Sequence, residues 1–217
     1  RIIFIPETIG AITYLSEYLP EMKKNVRAGF NISCVGDDRT YSYVASRYGE
    51  TLADRAAKNI LSFHYPNYKS YSFLQRGSDE RQYNAPGVDL PVCAVCRSKY
   101  EEYPEYHTSK DNMNLISPSG LQGAYEVYHD IIEALEHNVC YRVKCICEPQ
   151  LGKRALYPSV SQKGGFGELK GMLDFIAYAD GKNDIIDISN QIRVPVKKLI
   201  LIAEKLLENQ LLESVRE

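Results

Sequence analysis

The chain has 217 residues, 44% hydrophobic and 25% charged, enough apolar material for a real core in one large or two modest domains. Its formal net charge of −2 gives no electrostatic reason to expect nucleic acid, a membrane or a polyanion as default partner. No apolar run reaches the ~18 residues of a membrane span, and no basic, then apolar, leader is present, so the chain reads as soluble and cytoplasmic.

RIIFIPE opens the chain as a β-branched and aromatic run with no initiator Met, which reads as a strand entered midway and hence as a piece of a longer protein. AITYLSEYLPEM follows as a helix with Pro20 in its last turn. FNISCV is a second strand running into GDDRTYSY. In TLADRAAKNILSFHY, Leu52, Ala56, Ile60 and Phe63 recur at helical spacing behind Thr51, an N-cap residue type. KSYSFL and LPVCAV are further strands. SPSGLQGAYEVYHDIIEALEHN is a long helix with Pro118 in its first turn, and YRVKCIC is the strand that closes this part. Strands alternating with helices of this length imply an α/β sandwich with a parallel or mixed sheet over 1–148, whose chemistry gathers at the carboxyl ends of strands.

The six cysteines do not form a disulfide pattern. Cys93 and Cys96 are three apart in a strand and point to opposite faces, while Cys145 and Cys147 share a face with Tyr141 and Val143 and read as small core residues. Reduced thiols are expected. His64, His129 and His137 lie on helices without paired ligands at i+4 and read as surface positions.

Residues 149–166 have no periodicity and read as a linker, with the Gly164, Gly165 and Gly167 cluster giving flexibility rather than a phosphate loop. From 167 to 217 three short helices precede LLESV, the pattern of a winged helix-turn-helix. This module carries seven Lys/Arg against nine Asp/Glu, with Arg193, Lys197 and Lys198 as its basic cluster. That balance favours packing or protein interaction over DNA binding.

Acids and a histidine fall at four predicted strand ends: Glu7 after IIFIP, Asp37 and Asp38 after FNISCVG, Asp79 and Glu80 after KSYSFL, and His107 after LPVCAV. Each has an ordinary explanation as a turn, cap or solvated loop residue. Together at successive strand ends they can converge on one crevice and supply a hydrolytic zinc site, which needs carboxylate and imidazole ligands at about 2.0–2.2 Å and a free carboxylate as base. Tyrosine clusters at YSYVASRY, YPNYKSYSF and YEEYPEY could line a cleft for polar or sugar-like molecules, although half-buried tyrosines explain them equally well.

FIPETIGA, VGDDR, SDERQYNAPGVDLP and YPEYHTSKD, in that order, resemble the carboxyl-terminal half of the co-catalytic zinc aminopeptidases, and most of all bacterial aminopeptidase-like proteins with a winged helix behind the peptidase-like domain. The resemblance implies a three-layer phosphorylase/hydrolase-like sandwich, present in part, and hydrolysis of an amide bond in a small peptide-like or aminoacyl substrate. It implies Glu7 as general base, Asp37 or Asp38 as a carboxylate ligand to one Zn2+, and His107 as a ligand to a second. Asp79 and Glu80 become acids facing the substrate or supporting the site, and Asp111 a partner that orients the histidine loop.

Thr8 stands where such peptidases carry a second glutamate. The family's first histidine and bridging aspartate would precede Arg1, so this chain alone lacks part of the dinuclear centre. Two other readings stand beside the hydrolase: a catalytically degenerate relative that binds a ligand in the same crevice, and a DNA-binding regulator acting through the winged helix. The oligomeric state, including a homo-oligomer, is left open.

Overall fold

The computed structural model describes residues 1–154, 156 and 165–215. They form two compact units, Arg1–His129 and Asp130–Glu217.

In the first unit, Ile2–Ile5 is not a strand. These residues carry no regular structure, and Ile2 and Phe4 are 83% and 93% exposed. The local apolar pattern was there, but a strand also needs a neighbouring strand to pair with. Helix α1, Ile9–Asn25, runs through Pro20 rather than ending on it and closes with Lys23 and Lys24, whose charges suit a helix C-terminus. Strands β1 (Gly29–Asn31), β2 (Ser42–Val44), β3 (Lys69–Tyr71) and β4 (Val92–Cys96) form one mixed sheet in the order β1-β4-β2-β3. β1 lies parallel to β4 and β2 parallel to β3, while β2 and β4 are antiparallel, with Tyr43 opposite Val95. β2 was not recognised as a separate strand in the sequence, and KSYSFL is strand only to Tyr71 before a short 3-10 turn over Phe73–Gln75.

Helix α2, Leu52–His64, starts as expected at Thr51. Its side chain accepts from the Asp54 amide, and the Asp54 carboxylate accepts from the Thr51 amide, a reciprocal cap. The short helix α3, Glu80–Tyr83, and the long helix α4, Pro118–Glu136, complete the elements that begin in this unit. One apolar cluster gathers Val44, Tyr71, Ala94, Cys96 and Tyr100, with Cys34 and Tyr106 against it. A second joins Leu15 and Met22 of α1 to Leu90 and Val92. Cys93 and Cys96 are buried free thiols.

In the second unit, β5 (Cys140–Val143) pairs antiparallel with β6 (Asp180–Asp184) and β7 (Leu212–Val215), in the order β6-β5-β7. The strand assigned in the sequence to the α/β part therefore belongs to this smaller sheet. It also stops at Val143, so Cys145 and Cys147 are exposed, the latter with a left-handed backbone (φ 66°), and not core residues. Helices α5 (Gly165–Tyr178), α6 (Ile185–Ile192) and α7 (Val196–Glu208) supply the rest. Phe175, Ile185, Ile188, Leu199 and Leu206 are fully buried. Asp184 caps α6 through the Asp187 amide. Half of the segment read as a linker, including Gly164, lies outside the described residues, while Gly152–Arg154 form a 3-10 turn and Gly165 and Gly167 belong to α5 rather than to a flexible stretch. Among the described residues no helix is long and apolar enough to cross a membrane.

Candidate functional site

Glu7 sits in a strained turn. The Ile9 amide donates to the Glu7 carbonyl at 2.7 Å while Thr8 between them has φ 62° and ψ −67°, the rare form of γ-turn. Two groups from the α3 region hold it. The Thr8 amide donates to the buried Asp79 carboxylate at 2.7 Å, and the Arg81 guanidinium donates to the Thr8 hydroxyl at 2.5 Å while lying 3.9 Å from the half-exposed Glu7 carboxylate. Asp79 thus serves the turn, and Arg81, two residues on in SDER, is a functional neighbour that acid-focused reading passed over.

The histidine loop also carries strained backbone and stacked rings. Tyr106 is half-buried, and burial first, then the charges of Cys34 and Glu7, push its hydroxyl pKa up while Arg81 opposes them. His107 has φ 57° and its exposed ring stacks on Tyr106, with centroids 3.9 Å apart and planes 16° from parallel. Cys34 also has positive φ, 51°, and its sulfur lies 3.6 Å from the Tyr103 hydroxyl, which donates to Asp111 at 3.2 Å. Asp111 therefore supports the loop through Tyr103. Left-handed conformations at non-glycine residues carry strain that tends to be retained at functional loops.

The other candidates are differently employed. Asp37 is buried, and its carboxylate accepts from the Arg39 amide at 2.9 Å, the Ser98 amide at 2.9 Å and the Ser98 hydroxyl at 2.8 Å. Asp38 is 52% exposed and accepts from Ser117 and, at 2.9 Å, Ser119, the hydroxyls that hold its pKa below the usual carboxylate range. Glu80 is fully buried and accepts from Asn31, Gly77, Ser78 and Tyr100. Its role is to tie β1 to α3, and substrate does not reach it.

Among the described residues, the three-membered group of ligand-type side chains with atoms within 4.8 Å of one another is His129, Asp130 and Glu133 on α4. It corrects the view of His129 as having no ligand-type neighbour at i+4. Lys197 stands 3.9 Å from Asp130 and 3.7 Å from Glu133, so part of the basic cluster of the winged helix is already neutralised by these acids. Glu7, Asp37, Asp38 and His107 do not form such a group among the described residues.

The chain is thus a mixed α/β unit that carries polar, strained loops, joined to a winged helix-turn-helix. A family model described as a domain of unknown function (DUF4910) matches residues 1–138, and the chain belongs to that family. A winged helix-turn-helix model matches residues 138–214.

A Clostridium acetobutylicum protein, provisionally named for polysaccharide biosynthesis with an aminopeptidase-like domain, is 35% identical over 220 residues, covering 99% of this chain and 50% of that protein. The crystal structure of a provisionally named peptidase from the same species is 33% identical with a TM-score of 0.86, covering 97% of this chain and 47% of that one. The chain therefore spans about half the length of these relatives. An aminopeptidase from Aneurinibacillus sp. strain AM-1 is similar at a TM-score of 0.48 and 15% identity, over 57% of this chain and 29% of its own.

Proposed function

We propose that this chain forms one part of the active-site wall of an aminopeptidase-like hydrolase that cleaves an amide bond in a small peptide-like or aminoacyl substrate in the cytoplasm. The observation that carries the reading is the γ-turn at Thr8. It costs strain, is clamped by Asp79 and Arg81, and leaves the Glu7 carboxylate half-exposed. The similarity at TM-score 0.86 to a provisionally named peptidase supports it. Glu7, half-exposed and carboxylate in type, is suited to take a proton from an attacking water, and His107 to bind or polarise substrate from the opposite loop. The larger three-layer phosphorylase/hydrolase-like sandwich is proposed for the full-length domain.

Zn2+ is implied by the family resemblance alone, with His107 and Asp37 or Asp38 as the residues this chain would offer it. The test is elemental analysis of full-length protein alongside hydrolysis of a panel of aminoacyl amides. His107→Ala is expected to lower both metal content and turnover, and unchanged values for both would remove the reading.

A second reading is favoured by one observation. Thr8 stands where the resemblance implies a second glutamate, and its hydroxyl is taken up by the Arg81 guanidinium, so this position offers no carboxylate for chemistry. A degenerate, ligand-binding relative would bind aminoacyl compounds without turning them over.

A further inference from the structure

A cavity of about 670 Å³ opens in the first unit, lined among others by Asp38, Tyr41, Tyr65, Tyr68, Arg97 and Gln122. Its volume is that of an ordinary small-molecule site. Three of its residues come from tyrosine clusters that the hydrolase reading leaves without a role.

Arg97 is the organising residue. Its side chain is 7% exposed, its Nε donates to the Asp37 carbonyl at 2.7 Å, and its guanidinium carbon lies 3.8 Å from the centre of the Tyr41 ring. The Tyr65 ring stacks on Tyr41 at 3.7 Å and 28°. Two groups this close to one ring centre cannot share a face, so Tyr41 is held between them. Glycine makes the arrangement possible: a Cβ at position 123 would meet the Tyr41 hydroxyl oxygen at 2.4 Å and an Arg97 terminal nitrogen at 3.0 Å. The guanidinium is thereby fixed, yet neither terminal nitrogen finds an acceptor at hydrogen-bonding distance among the described residues. The nearest carboxylate, Asp38, is 3.9 Å away and already accepts from Ser117 and Ser119.

A nearly buried guanidinium with two unused amino groups facing a cavity calls for an anion, and a planar bidentate acceptor fits it best. The remaining lining asks for more than a bare anion. Tyr65 and Tyr68 offer ring surface for C–H faces, and Asn67, Gln122 and Glu126 offer donors and acceptors suited to hydroxyls. We infer that this cavity binds a sugar ring bearing a carboxylate, with the carboxylate on Arg97 and the ring against the tyrosines. The inference does not depend on the hydrolase reading: of the residues that reading uses, Asp38 alone lines the cavity, and Glu7, Asp37 and His107 do not.

The test is calorimetric titration of full-length protein with D-glucuronate, D-glucose and acetate. Glucuronate is expected to bind at least ~10-fold more tightly than either control, equivalent to ~1.4 kcal/mol. Arg97→Gln should abolish that preference. Because Arg97 is buried, Gln122→Ala at the exposed rim provides the second variant, and should weaken glucuronate at least ~3-fold with an unchanged unfolding midpoint. Glu7→Gln should leave the affinity alone, which separates this site from the proposed hydrolytic one. Equal binding of acetate and glucuronate, absence of glucuronate binding at millimolar concentration, or indifference to Gln122→Ala with loss on Glu7→Gln would each overturn it.

Discussion

Two sets of carboxylates in the first unit differ in how fully the protein uses them. Asp54 is completely buried and accepts from Tyr43, from the amide and hydroxyl of Ser46, and from the amide and hydroxyl of Thr51. Glu80 is equally buried and accepts from four donors. Glu7, by contrast, is 56% exposed, with a single cation 3.9 Å away, and projects from a turn that costs energy to hold. A carboxylate surrounded by donors organises loops and has little capacity left for substrate. One that strain presents to solvent is available for chemistry, and the difference separates architecture from site within one stretch of acids that look alike in sequence.

The sharpest way to break this division is at Glu80. Glu80→Ala leaves two amides, an amide side chain and a phenol without their acceptor in the interior, and should cost about 4 kcal/mol in urea unfolding or prevent folding outright. A loss under about 1 kcal/mol would place Glu80 with the dispensable acids.

Asp54→Ala should cost about 3 kcal/mol, since charged hydrogen bonds are lost at a reciprocal helix cap. Burial raises the Asp54 pKa, but the Ser46, Thr51 and Tyr43 hydrogen bonds outweigh it and the net shift is downward. A carboxyl with a folded pKa below its unfolded value of about 3.9 stabilises the protein above that pH, and the contribution disappears as pH falls through the folded value. Denaturation between pH 5 and 2 should therefore show a loss of stability on acidification that is shallower in Asp54→Ala.

Gly120→Ala probes how the Asp38 loop is positioned. A Cβ there would stand 2.1 Å from the Gly36 carbonyl oxygen, and because that atom is backbone the contact cannot be relieved by a rotamer change. A loss of about 2 kcal/mol is expected, with a shifted Asp38 environment visible by NMR. The smallest effect belongs to Glu105, whose two oxygens take the Arg39 fork at 2.7 and 2.8 Å and whose pKa that pairing lowers to about 2. The pair lies at the surface, with Arg39 45% and Glu105 21% exposed, where solvent screens it, so Glu105→Gln should lower the urea midpoint at neutral pH only slightly.

The elements that could be read from sequence were those whose signals are local. The Thr51 cap, the apolar stripe of α2, Pro118 at the start of α4 and the cores of α6 and α7 emerged at their expected places, whereas α5 begins at Gly165, inside the glycine-rich stretch read as linker. Strands were harder because their identity rests on a partner elsewhere in the chain. Ile2–Ile5 has the right residues and no neighbour, and β5 pairs with β6 and β7, whose sequences follow it by about forty and seventy residues.

At the site, Glu7 and His107 were legible as polar residues after predicted strands. Arg81, Tyr106 and Arg97 were not, because nothing in their spacing shows that Arg81 reaches back to Thr8 or that Arg97 lies on Tyr41. A charged residue directly after the buried run VCAVC was the available clue to Arg97.

Turnover of an aminoacyl amide by full-length protein carrying Glu7→Gln is the most direct measurement. With Glu7 acting as the base, kcat should fall at least ~100-fold while the urea midpoint stays unchanged. Equal turnover in the variant and the parent, or no turnover in the parent at all, would contradict the assignment.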